Sequence, residues 1–134
     1  MLYDAVDDPE GTAVDDLLGR FADELAKTDA VANGDARVEA DAVRSGAVGD
    51  VSVEEASAML ASDEDAPPAD VIEAEIRDDL LLGMSSAVLD VEALAARVDL
   101  DLSPREIQQK VEGRTSTTLR EYAALKLAIE RRVP

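Results

Sequence analysis

The sequence predicts an all-α fold, a compact bundle of about six or seven short helices. Apolar residues recur at intervals of three and four, which is the repeat of a helix with one buried face. A hydroxyl residue is followed by Glu three positions later at Ser52, Ser103 and Thr118, and this capping box opens helices. No stretch alternates β-branched and polar residues as a strand would. Hydrophobic residues make up 46% of the chain, enough to form a core.

The first predicted helix covers residues 13–27. Thr12 is expected to cap it, with Asp15 at the fourth position of the box. Its apolar stripe consists of Val14, Leu17, Leu18, Phe21 and Leu25.

Two shorter helices are expected before the middle of the chain. Residues 33–35, Asn-Gly-Asp, predict a turn. A short helix that carries Val38 follows and is ended by Gly46. Ser52 then opens a helix that ends near Ala61.

Residues 62–68 predict the best internal boundary, because an acidic run leads into Pro67-Pro68, which blocks a helix. We therefore predict an acidic N-terminal helical part, 1–66, and a C-terminal part, 67–134. The two parts could also form one fused domain.

The C-terminal part begins with a helix that Asp70 is predicted to cap and that continues through Gly83 toward Leu89. Asp90 is expected to cap a shorter helix.

The clearest helix start is Ser103-Pro104, where a capping box is combined with proline at the first helical position. Gly113 is expected to end this helix, and Thr118 to open the last one.

The two halves resemble each other locally. Gly46 followed by 52–60 is similar to Gly113 followed by 118–125, with a helix stop, a capping box and an apolar helix in each. This pattern indicates either an internal duplication or the chance likeness of two amphipathic helices.

The charge is strongly acidic and unevenly distributed. The 31 acidic and 13 basic residues give a net charge of -18, yet residues 97–134 alone carry a net +2. Acidic residues on a chain with an ample core indicate adaptation to concentrated salt rather than disorder. The basic C-terminal third points to a partner, or to internal pairing of Arg97, Arg105, Arg120 and Arg131 with the acidic half.

The chain contains no His and no Cys. The usual zinc sites, Cys-His nucleophiles and Ser-His-Asp triads therefore cannot be built, and Gly-rich phosphate loops are missing. We expect a non-catalytic protein without a metal or cofactor. The acidic N-terminus lacks a signal sequence and the longest aliphatic run, Leu80–Leu82, is far too short for a membrane span, which predicts a cytoplasmic location away from membranes.

Residues 94–125 carry a further pattern: Leu94-Ala95, then Ser103-Pro104-Arg105-Glu106-Ile107, Val111-Glu112-Gly113-Arg114 and Thr118-Leu119. This run resembles the helix-turn-helix of the Cro and phage-repressor type. The resemblance implies a recognition helix over 103–112 that reads duplex DNA. Its DNA-binding residues would be Arg105, Gln108 and Gln109 toward the bases, beside Pro104, with Lys110 and Arg114 near phosphates.

The chain departs from the repressor pattern at the turn. Asp99 replaces the expected glycine, and the segment between Ala95 and Ser103 is about two residues too long. Asp99 and Asp101 would repel phosphate.

As a whole, the chain also resembles small acidic haloarchaeal proteins of a family of unknown function, through residues 3–9, 82–84, 87–90 and 111–115. The sequence therefore predicts a non-catalytic halophilic protein of unknown role, and the helix-turn-helix resemblance implies a regulator that binds duplex DNA. The alternative is a protein-protein interaction module without nucleic-acid binding, whose partner is another protein or a second copy.

Overall fold

The computed structural model describes residues 2–32 and 38–132. This part of the chain contains a short 3-10 turn, Leu2–Asp4, and eight α-helices, which confirms the all-α prediction. The helices are α1 Val14–Ala26, α2 Asp29–Ala32, α3 Val38–Ser45, α4 Val53–Leu60, α5 Ala69–Ala87, α6 Val91–Arg97, α7 Pro104–Val111 and α8 Leu119–Glu130. None of them is long and apolar enough to cross a membrane.

Four predicted helix starts are confirmed by side-chain caps. In each, the side-chain oxygen of the N-cap accepts a hydrogen bond from the backbone N–H three residues later. The caps and their distances are Ser52 (3.0 Å), Asp90 (2.8 Å), Ser103 (3.2 Å) and Thr118 (3.1 Å). At α7 the backbone N–H of Ser103, and then its hydroxyl, lower the pKa of Glu106, so the ionised carboxylate completes the box.

Two predicted caps are wrong. The Thr12 hydroxyl is buried and donates instead to the carbonyl of Asp8 at 2.6 Å, so α1 begins one residue later, after Ala13. Asp70 lies inside the first turn of α5, because the helix starts directly after Pro68. A proline can precede or open a helix, since the N–H that it lacks would have no helical partner there.

The one-turn helix α2 was not predicted, and the structure shows why. Its first N–H groups are capped from a distant part of the chain: Asp29 N–H donates to Asp63 Oδ1 at 2.8 Å and Ala30 N–H to Ser62 Oγ at 2.9 Å. No local pattern encodes such a cap. The predicted turn at 33–35 lies outside the described residues.

The two similar segments meet in the structure. Gly46 (φ 79°) ends α3 and Gly113 (φ 76°) follows α7, and both adopt the left-handed conformation that glycine tolerates. Ser52 and Thr118 then form an antiparallel bridge, in which Val53 N–H donates to Thr117 O and Leu119 N–H to Val51 O, both at 2.8 Å. The starts of α4 and α8 are therefore paired as equivalent elements.

The core is centred on α8, which packs against α1, α5 and α6. The largest fully buried side chains include Phe21, Ile76, Leu94, Leu119 and Tyr122, and the rings of Phe21 and Tyr122 stack with centroids 5.7 Å apart. Residues 62–68 form turns and irregular backbone, while the buried core continues across them from α4 to α5.

Candidate functional site

The five predicted DNA-binding residues lie on α7 and directly after it. Ile107 and Val111 fix this helix to the core, which turns Arg105 and Gln108 to solvent and leaves Gln109 half-buried. Arg105 has no hydrogen-bond or ion-pair partner among the described residues. One end of the predicted recognition helix is thus open to a ligand.

The other predicted side chains are occupied within the chain. Lys110 Nζ is largely buried and donates to Ser116 O at 2.7 Å and to Glu121 Oε1 at 3.0 Å. Gln108 Nε2 donates to Glu112 Oε1 at 3.0 Å, and Arg114 pairs with the same carboxylate at 3.1 Å. The Lys110 contacts join the end of α7 to the start of α8, whereas those of Gln108 and Arg114 stay at the end of α7.

The connection between α6 and α7 spans residues 98–103, which is longer than the turn of about three or four residues in a helix-turn-helix. Asp99 and Asp101 within it are exposed. They place negative charge at the entrance to the predicted recognition helix.

Part of the C-terminal basic charge is used for internal contacts with the acidic N-terminal region. Arg120 pairs with Asp15 at 3.3 Å, and Arg131 donates to the carbonyls of Pro9 and Thr12 at 2.9 and 2.7 Å. Arg97, like Arg105, has no partner among the described residues. Of the four arginines expected to pair with the acidic half, Arg120 forms an ion pair there and Arg131 is hydrogen-bonded to its backbone carbonyls.

A buried polar cluster joins α5 to α8. The side chain of Lys126 is 3% exposed and its Nζ contacts Asp79 Oδ2 at 2.8 Å and Glu130 Oε1 at 3.3 Å. The Tyr122 hydroxyl donates to Asp79 at 2.9 Å. Burial, and then the charge of Asp79, raise the pKa of Tyr122 well above its ordinary value. Because Lys126 is almost inaccessible and its Nζ contacts two carboxylates, this cluster offers no reactive amine.

The largest exposed apolar side chains include a group at the C-terminal end of α5. Leu81, Leu82 and Val88 are 41%, 68% and 87% exposed, and we call them the apolar strip. Leu81, exposed Ser85 and Val88 follow at intervals of four and three, so they lie along one side of the helix end. Leu82 lies about 100° around the helix from Leu81, so the apolar strip is a small exposed patch around the end of α5.

Val88 combines exposure with an unusual backbone. It adopts the left-handed conformation (φ 55°, ψ 48°) and is the only non-glycine residue with positive φ in the described part of the chain. This conformation lets Leu89 N–H reach Met84 O at 2.9 Å and buries the Leu89 side chain. A β-branched residue is disfavoured there by about 1–2 kcal/mol, and glycine would make the same turn without that cost.

A family model matches residues 13–132, which span α1 through α8. The chain belongs to DUF5791, a family of unknown function. No curated protein and no solved structure matches it. This match confirms the predicted membership of a family of unknown function, and it assigns no activity.

No cluster of three or more acidic side chains suited to a metal ion occurs among the described residues of this DUF5791 protein.

The apolar strip was not predicted from the sequence, although Leu80-Leu81-Leu82 indicated it. Successive residues on a helix are separated by about 100°, so three consecutive leucines cannot all face one core. Leu80 is buried and its two neighbours are exposed.

Proposed function

We propose that this DUF5791 protein is a non-catalytic interaction module whose apolar strip binds a cationic amphipathic helix of a partner protein. The observation that carries the proposal is Val88, an apolar side chain that is 87% exposed in a left-handed backbone conformation. The side chain adds almost nothing to the core, and its backbone conformation costs stability. A role outside the folded chain accounts for both features.

The shape of the strip favours a helical partner. Leu81, Leu82 and Val88 extend over about two turns at the C-terminal end of α5. Apolar residues exposed on successive turns at a helix end can pack against a second amphipathic helix that crosses it.

The charges around the strip favour a basic partner. Asp78 lies one turn before Leu82, and Asp90 and Glu92 follow shortly after Val88; all three are exposed. Lys or Arg residues that flank the apolar face of a partner helix would meet these carboxylates. A second copy of the chain would instead bring together two molecules of charge -18.

The proposal includes function in concentrated salt. At about 1 M salt the Debye length is about 3 Å, so attraction between distant charges is lost while apolar burial persists. The strip would then supply most of the affinity and the carboxylate rim the orientation.

Binding of a synthetic amphipathic Leu/Lys helix of about 18 residues, measured by calorimetry at about 2 M KCl, tests the proposal. The variant is Leu82→Ser combined with Val88→Asn. Asn tolerates the left-handed conformation, so we expect the variant to fold at least as stably as wild type. Loss of the two apolar contacts should weaken peptide binding by about tenfold or more.

The matched control is Val71→Ser, which removes an exposed apolar residue from the same helix about three turns away. A smaller loss in this control supports binding centred on the C-terminal end of α5. Equal affinity of wild type and the double variant would contradict the proposal. Equal binding of a Leu/Glu peptide by folded protein at about 0.1 M KCl, where the Debye length is about 10 Å, would contradict the basic character of the partner.

Duplex DNA remains a second candidate ligand because Arg105 and Gln108 are exposed on α7. Selection from a randomised duplex pool at about 2 M KCl suppresses non-specific phosphate attraction. Enrichment of one sequence by wild type, and its loss with Arg105→Ala and Gln109→Ala together, would favour a DNA-reading regulator over the interaction module.

A further inference from the structure

A cleft between the start of α1, the segment after α6 and the outer face of α8 collects three of the arginines of the chain. Its volume is about 310 Å³, and Arg97, Arg120 and Arg131 line it. This volume lies at the lower end of the range for small-molecule pockets, about 300–1,000 Å³. We call it the arginine cleft.

The charge of the arginine cleft is opposite to that of the whole molecule. Three arginines and two aspartates, Asp15 and Asp99, line it, in a chain whose net charge is -18. Arg120 is already paired with Asp15. Arg97 has no partner among the described residues, and the two contacts of Arg131 leave further N–H groups of its guanidinium unused. Unpaired donors therefore remain available.

The start of α1 also lines the cleft, but carboxylates already lie at its positive end. The Ala13 N–H donates to Asp16 Oδ2 at 3.1 Å, and Asp15 and Asp16 both lie in the first turn. The arginines are therefore the groups that can bind an anion.

The remaining residues that line the cleft are apolar, and they favour a ligand with an aliphatic tail. The accessible apolar surface comes from Val14, Val98, Leu100 and Ala124, because Leu127 and Ala128 are only 1% and 7% exposed. A bare inorganic anion would leave this surface wet, whereas an aliphatic chain would cover it. A polyanion would also be repelled by the carboxylates elsewhere on the molecule, so a single anionic group fits better.

We infer that the arginine cleft binds a small amphiphilic carboxylate, with its head between Arg97 and Arg131 and its short aliphatic tail against Val98, Leu100 and Ala124. Guanidinium groups are weakly hydrated and pair with a carboxylate through two parallel hydrogen bonds, which suits a site that must compete with dissolved salt. This inference is independent of the interaction proposed for α5.

Calorimetric titration of the full chain with octanoate tests the inference, with octanol and inorganic phosphate as probes of the tail and the anion alone. Arg97→Gln removes an exposed arginine without an internal partner, so the fold should be unaffected. We expect it to weaken octanoate binding by about tenfold or more, the size of a lost charged hydrogen bond. The matched control, Arg105→Gln, makes the same charge change on α7 and should leave binding unchanged.

Saturable octanoate binding that exceeds that of both other probes and is lost in Arg97→Gln alone supports the inference. Equal binding of octanol, equal loss in both arginine variants, or no saturable octanoate binding by folded protein would overturn it. Leu82→Ser with Val88→Asn should bind octanoate as wild type does, so failure of the α5 proposal and failure of this one are distinguishable.

Discussion

The segments α3–Gly46–α4 and α7–Gly113–α8 are built alike but have different roles. In each, a glycine with positive φ follows an eight-residue helix and a capping box opens the next helix, and the two boxes pair through Ser52 and Thr118. α8 is longer than α4, with 12 residues against 8, and it lies at the centre of the bundle. The two segments therefore differ in the helices and charged residues that surround α4 and α8.

The basic residues are concentrated in the second of these two segments. Lys110, Arg120 and Lys126 on α7 and α8 each pair with a carboxylate, whereas α4 contains no basic residue. A helix at the centre of an acidic protein brings carboxylates from several elements together, and nearby cations offset their repulsion. The charge asymmetry along the chain therefore reflects, in part, the position of α8 in the fold.

Among the changes that test this comparison, removal of Asp79 should cause the largest loss of stability. Asp79→Ala leaves the buried Lys126 amine with Glu130 alone and leaves the Tyr122 hydroxyl without an acceptor. Breaking a buried ion pair costs about 3–5 kcal/mol, and we expect the lower end because Asp79 is partly exposed. Urea unfolding measures this loss in the free energy of unfolding. The exposed neighbour Asp78→Ala is the control and should change little; equal losses would show that α8 does not depend on this cluster.

The same cluster predicts loss of stability at high pH. The folded-state pKa of Tyr122 is raised by burial and by Asp79, so the unfolded chain releases this proton first. The stabilising effect is complete below the unfolded value of about 10 and is lost as pH rises toward the folded value. The free energy of unfolding should therefore fall above about pH 10, and fall less in Tyr122→Phe. Parallel pH profiles for the two proteins would contradict this assignment.

The glycines after α3 and α7 offer a direct contrast between the segments. A Cβ at residue 46 would meet open space, whereas one at residue 113 would lie 2.5 Å from Arg77 Nη1. Both alanine variants have the left-handed penalty, so we expect a loss of about 1 kcal/mol for Gly46→Ala and about 2 kcal/mol for Gly113→Ala. Thermal unfolding of the pair measures the difference. Equal losses would mean that Arg77 moves aside freely.

Local chemistry made the fold predictable where a helix is capped by its own residues. Ser52, Asp90, Ser103 and Thr118 were identified from sequence because the capping side chain and the backbone N–H that donates to it lie within four residues. The start of α2 was missed because its caps come from Ser62 and Asp63, more than 30 residues away. Tertiary contacts of this kind leave no trace in a local pattern.

The candidate sites were less predictable for the same reason. Arg105 and Gln108 could be placed on an exposed helix face from periodicity, but the buried pairing of Lys110 with Glu121 depends on how α7 meets α8. The meeting of Arg97, Arg120 and Arg131 in one cleft also depends on packing between distant segments. The Val88 backbone follows from the turn into α6, for which the sequence supplies no glycine.

The smallest expected change concerns Ser57 on α4, whose counterpart 66 positions later on α8 is Ala123. Both residues are fully buried, but the Ser57 hydroxyl has no hydrogen-bond partner among the described residues. An unpaired buried hydroxyl costs about 1 kcal/mol or more, so Ser57→Ala should stabilise the protein by about that amount and make α4 more like α8. Ser62→Ala is the control and should destabilise, because Ser62 Oγ caps Ala30. Destabilisation by Ser57→Ala in urea unfolding would show instead that the hydroxyl is satisfied in solution.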